Sequence, residues 1–78
     1  MLFRSKVANA VHQGILAGEV GRPEEAVQLF REVVREDPQI FVAEYQLGLN
    51  LMRLKRYAEA IPPLEKAVVL RPDRKSVV

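Results

Sequence analysis

"GRPEEAVQLFREVVREDP" occupies residues 21–38, and "KRYAEAIPPLEKAVVLRP" occupies residues 55–72, 34 residues further on. Sliding the chain by that interval sets 7–40 on 41–74. Six positions match outright: Gly14/Gly48, Arg22/Arg56, Glu25/Glu59, Ala26/Ala60, Val34/Val68 and Pro38/Pro72. Others keep their character: Ile15/Leu49, Val20/Leu54, Val27/Ile61, Phe30/Leu64 and Val33/Ala67. A fixed interval of this length marks a chain that repeats one supersecondary unit.

Each unit reads as two helices. The pattern predicts helices over about 6–20 and 23–36, then about 41–54 and 57–70. Ser5 suits the N-cap of the first helix. Gly21 can close it in the left-handed conformation. Pro23 fits a first helical turn, where its missing N–H is not needed, and Glu24 and Glu25 complement the positive end of the helix. Asp37-Pro38 and Arg71-Pro72 are stops, because proline drives the preceding residue out of helical geometry. Pro62 and Pro63 break the scheme. They predict either a late start to the last helix or a kink, with a tolerated irregularity at the helix start as the preferred reading.

The spacing and the small residues resemble the tetratricopeptide repeat, whose signature runs W-x2-L-G-x2-Y, then A-x3-F, then P. The second unit reads Glu44-x2-Leu47-Gly48-x2-Leu51, Ala60-x3-Leu64 and Pro72. The first reads Ala10-x2-Gln13-Gly14-x2-Ala17, Ala26-x3-Phe30 and Pro38. Both lack the Trp and the Tyr, and Gln13 stands where Leu is expected. The resemblance implies an all-α fold: an α-solenoid fragment of four helices in two antiparallel helix-turn-helix hairpins. It spans one domain, 1–78, with repeats over 7–40 and 41–74 and a short tail. Small residues at Gly14, Gly48, Ala26 and Ala60 should let paired helices approach closely. Leu47, Leu51 and Leu54 share one helical face and should meet Ala60, Leu64 and Ala67. Ala10, Gly14 and Ala17 should likewise meet Ala26, Phe30 and Val33. Gln28, Arg31, Glu32, Arg35 and Glu36 form the solvated side.

The third helix carries a second apolar stripe, Val42, Tyr45, Leu49 and Met52, roughly opposite the first at about 100° per residue. The resemblance implies that the first helix of each hairpin lines a concave groove that binds peptides or partner helices. The candidate groove residues are Val11, His12, Ile15, Val42, Tyr45, Gln46, Leu49 and Met52. The competing reading makes Val11, Ile15, Val42 and Leu49 a core between stacked first helices. Some members of the family clamp a partner's terminal carboxylate with Lys and Asn. The corresponding places here hold Val11, Ile15 and Gln46, which argues against that clamp.

Other chemistries find little support. The chain has no Cys, one His and only two Ser, so no nucleophile motif, thiolate metal site or cofactor is expected, and no catalysis. His12 stands alone, and metal sites need several ligands. The net charge of +2 comes from 12 basic residues mixed among 10 acids. Arg53, Lys55 and Arg56, with Arg71, Arg74 and Lys75, form two small basic clusters. They raise nucleic-acid binding as the alternative function, weakened by neighbouring acids and by the lack of interleaved aromatics. No apolar run suggests a membrane span or a signal peptide, so a cytoplasmic location is expected by default. Two repeats are fewer than such arrays usually need. Leu64 and Val68 are therefore expected to form a self-association face, either in a longer array or in a two-fold homodimer.

Overall fold

The computed structural model describes residues 2–71, with side chains from Lys6 onward. It contains four helices: α1 Leu2–Glu19, α2 Pro23–Glu36, α3 Phe41–Arg53 and α4 Tyr57–Leu70. No strand occurs among the described residues. The starts of α2, α3 and α4 fall where the turn residues predict. α1 starts earlier, because no proline or glycine interrupts the residues before Ser5, which lies inside the helix instead of capping it.

Two identical turns build the two hairpins. Gly21 has φ 85° and Lys55, its counterpart, has φ 63°. The Gly21 N–H donates to the Gly18 carbonyl at 3.3 Å, and the Arg22 N–H donates to the Ala17 carbonyl at 2.8 Å. In the second hairpin Lys55 donates to Met52 at 2.9 Å and Arg56 to Leu51 at 2.9 Å. Both are the Schellman closure, in which a left-handed residue returns two N–H groups to the last turn. The arginine after each turn then pairs with the glutamate three residues on. Arg22 lies 3.7 Å from Glu25, and Arg56 grips Glu59 with two bonds of 2.8 Å. Between hairpins, the Asp37 carboxylate accepts the Gln39 N–H at 3.1 Å and shapes the turn into α3.

Pro62 and Pro63 lie well inside α4, which neither starts late nor confines them to its first turn. The helix begins at Tyr57 with the Ala60 N–H donating to the Arg56 carbonyl at 3.2 Å. The prolines remove the donors that would have met the carbonyls of Ala58 and Glu59.

The helices pack in chain order: α1 on α2, α2 on α3, α3 on α4. The hairpins join chiefly through α2 against α3, and α1 touches α3 only lightly. Stacking of first helix on first helix is thus a minor part of the joint. Within each hairpin a glycine admits a large side chain. A Cβ on Gly14 would lie 2.7 Å from the Phe30 ring, and one on Gly48 would run into Leu64. Phe30, Ala26, Val33, Ala43, Leu47, Leu51 and Ala60 form a continuous buried core. Gln28, Arg31, Glu32, Arg35 and Glu36 all face solvent.

Candidate partner-binding face

The proposed stripe divides in two. On α3, Val42, Tyr45 and Met52 are exposed to 39%, 41% and 42%, while Leu49 is half-buried. Three large apolar side chains therefore stand equally open along one helix. On α1, Val11 and Ile15 are half-buried and pack against the core. His12 is exposed and Gln46 half-buried. The face is thus α3-centred, with α1 supplying its side.

An aromatic stack orders one end of it. The Phe41 and Tyr45 rings lie 5.5 Å apart at 11° to one another, as their four-residue spacing on a helix allows. The Arg71 guanidinium sits 5.7 Å from the Phe41 ring centre, a cation–π distance. Phe41 escaped the sequence reading, which placed Arg71 only at a helix stop and in a basic cluster. The Phe41-x3-Tyr45 spacing was legible, but Arg71 reaches Phe41 only because α4 folds back along α3.

The other end is polar and structural. The Asn50 side chain is fully buried and donates to the Gln46 carbonyl at 2.8 Å. Its oxygen accepts from Arg53 at 3.3 Å, and Arg53 also donates to the Gly18 carbonyl at 3.2 Å. Gly18 leaves room for this: a Cβ there would lie 3.0 Å from the Asn50 oxygen. Arg53 thus ties the C-terminal end of α3 to that of α1, whose carbonyls carry negative partial charge. Asn50 also escaped the sequence reading, although a lone amide between Leu47 and Leu51 on a core-facing side was its signal.

These contacts redistribute the basic clusters. Arg53 serves the hairpin joint, and Arg56 is held by Glu59, which also accepts from Arg31 at 2.8 Å. Arg71 lies on Phe41. Arg74 and Lys75 lie outside the described residues. Glu44 stands where the repeat signature has Trp, and it is buried to 5% exposure. Burial pushes its carboxyl above the usual range, and Lys66 pulls it part of the way back. Glu59 is held below the usual range by hydrogen bonds from Arg56 and then Arg31.

A cleft of about 320 Å³ lies elsewhere, between the N-terminal half of α1 and the C-terminal half of α2. Lys6, Glu32, Arg35 and Glu36 surround its small apolar floor, Val7, Ala10 and Val33, so it resembles a solvated seam more than a ligand site. Among the described residues no group of three or more His, Asp or Glu stands close enough to hold a metal ion. No described helix is long and apolar enough to cross a membrane. Of the predicted self-association pair, Leu64 is half-buried against Gly48 and Val68 is 42% exposed.

Two antiparallel hairpins related by a 34-residue shift define a helical-repeat protein. The tetratricopeptide repeat family model matches residues 45–74, from the fifth residue of α3 to beyond the end of α4. Residues 45–74 are thus similar to a tetratricopeptide repeat, and the four helices are consistent with two such repeats. Repeats of this family are generally protein–protein interaction modules. Comparison with curated proteins gives no match, and neither does comparison with solved structures.

Proposed function

We propose that the chain is a non-catalytic interaction module that binds a peptide or partner helix on the α3-centred face. The observation that carries this reading is the open row Val42, Tyr45 and Met52 beside a ring already stacked in place. Tyrosine and methionine suit such a role, one as a stiff anchor and the other as an adaptable contact. The stack on Phe41 reduces the freedom that Tyr45 would lose on binding, which favours affinity. The face also lacks acids. The helices that form it carry only Glu19, the last residue of α1, and the buried Glu44. An apolar segment flanked by acidic residues would meet no like charge there. Nucleic-acid binding is not favoured, since Arg53 and Arg56 are committed to internal partners.

A photo-cross-linking residue placed at Met52 should capture protein partners that the same residue at Gln28, exposed on the solvated side of α2, does not. For a captured partner, Tyr45→Ala should weaken binding by about 1–3 kcal/mol, as loss of a central anchor does. Equal capture from both positions, or unchanged affinity with helicity intact, moves the site off this face.

A further inference from the structure

The two hairpins are internal controls for one another. α2 lies between α1 and α3, whereas α4 packs on α3 alone. Positions that are buried in α2 and open in α4 therefore report what a second neighbouring helix covers. Val27 is 3% exposed and its counterpart Ile61 is 55% exposed. Val34 is half-buried, while Val68 is 42% exposed. Pro23 is half-buried and Tyr57 is 56% exposed. Tyr57, Ile61 and Val68 fall on one side of α4, with Leu64 at the edge of the row. The outer face of α4 thus repeats the row that α2 buries against α3, and among the described residues no further helix covers it.

The opposite end of the molecule differs. α3, which follows another hairpin, buries Ala43, Leu47 and Asn50, at 0%, 6% and 0% exposure. The corresponding residues of α1 are Asn9, Gln13 and Leu16, and all three are exposed. Two of the three are amides, which lose their water on burial and gain no partner against an aliphatic row. A second copy stacked head-to-tail would press Ile61 and Val68 onto Asn9 and Gln13, and each added copy would repeat the mismatch. A face that meets itself avoids both problems. It buries the same apolar row on each copy and closes after two.

We propose that the outer face of α4 is a self-pairing surface, on which a second copy of this chain docks across a two-fold axis through Tyr57, Ile61 and Val68. The inference stands apart from the α3-centred binding face, which stays open in the pair. One helix against one helix is a small contact, below the roughly 1,200 Å² of stable complexes, so pairing is weak and concentration-dependent.

Sedimentation equilibrium of the 78-residue chain from micromolar to millimolar concentration tests it. The expected result is a monomer–dimer equilibrium that stops at two. Val68→Glu, and Ile61→Glu with Val68→Glu, should weaken pairing at least about tenfold with circular dichroism unchanged, because both positions are solvent-facing in the monomer. Asn9→Ala with Gln13→Leu copies the α3 pattern onto α1 and should let assembly run past the dimer. A wild-type chain that stays monomeric throughout overturns the proposal, as does one that grows past two. So does a dimer indifferent to both glutamate variants, or one dissolved by Tyr45→Ala with Met52→Ala, which would place the contact on the α3 face. If the Asn9/Gln13 variant still stops at two, the polar row is not what blocks head-to-tail stacking, and that argument falls.

Discussion

Lys55 occupies a place in its turn that its counterpart Gly21 occupies without strain. At φ 63° a residue with a Cβ gives up roughly 1–2 kcal/mol relative to the right-handed region. Lys55→Gly should therefore raise stability in chemical denaturation, by about 0.5–1 kcal/mol once the added freedom of glycine in the unfolded chain is counted. Gly21→Ala should lower it by a similar amount. Charge offers a second test. Glu44 is harder to ionise when folded, so its ionised form costs stability. That cost is absent below the unfolded value near 4.5 and complete above the raised folded value. Glu59 has the opposite sign. Its bonds to Arg56 and Arg31 contribute fully above 4.5 and are lost as pH falls through its lowered folded value. Glu44→Gln should flatten the stability–pH curve just above 4.5, and Glu59→Gln should flatten it below. Titration curves of unfolding midpoint for the two variants that change the same limb would refute the assignment.

At the scale of elements, the hairpins share one design but not one tolerance. The Phe30 ring against Gly14 is wholly buried and has nowhere to go. Leu64 against Gly48 is half-buried and borders the open side of α4, so it can swing outward. Gly14→Ala should cost about 1–3 kcal/mol by overpacking, despite the better helix propensity of alanine, and Gly48→Ala distinctly less. Pro62→Ala restores a backbone donor in mid-helix and should add about 1–3 kcal/mol. Thermal unfolding of the three variants checks the order. Turn chemistry made most of this legible beforehand. Pro23, Gly21 and the Asp37-Pro38 stop carry their geometry in their own covalent structure, and the starts of α2 and α3 follow from them, while that of α4 follows from the 34-residue shift. The start of α1 was not legible, because helix propensity through residues 2–5 is unmarked by any breaker. The course of α4 through two prolines was not either, since its packing on α3 overrides a local cost that sequence alone would weigh more heavily. For the candidate face, periodicity set Val42, Tyr45 and Met52 on one stripe, and all three are exposed. It could not assign Val11 and Ile15 to the core or bring Arg71 to Phe41, because both depend on how helices distant in sequence are set against one another.

Across the whole molecule, a repeat protein is a row of units whose stability is the sum of each hairpin and the joint between them. Here that joint is α2 on α3, reinforced by the Asn50–Arg53–Gly18 clasp. Its strength can be isolated by changing equivalent residues on either side of it. Val27 and Ile61 hold the same place in their hairpins, yet one is 3% and the other 55% exposed. Val27→Ala removes two methyl groups from the joint and leaves a space that α2 and α3 cannot close. It should cost about 1–3 kcal/mol. Ile61→Ala removes a larger side chain but from the solvent side, so at low micromolar concentration it should cost less than about 0.5 kcal/mol. The contrast should shrink as concentration rises, because pairing through α4 stabilises the folded chain by mass action and Ile61→Ala forfeits that gain. Unfolding midpoints measured for both variants at two widely separated concentrations decide the matter. A Val27→Ala penalty no larger than that of Ile61→Ala would mean that the hairpins are not joined through α2 and α3. A concentration-independent Ile61→Ala penalty would mean that the open face of α4 meets only water.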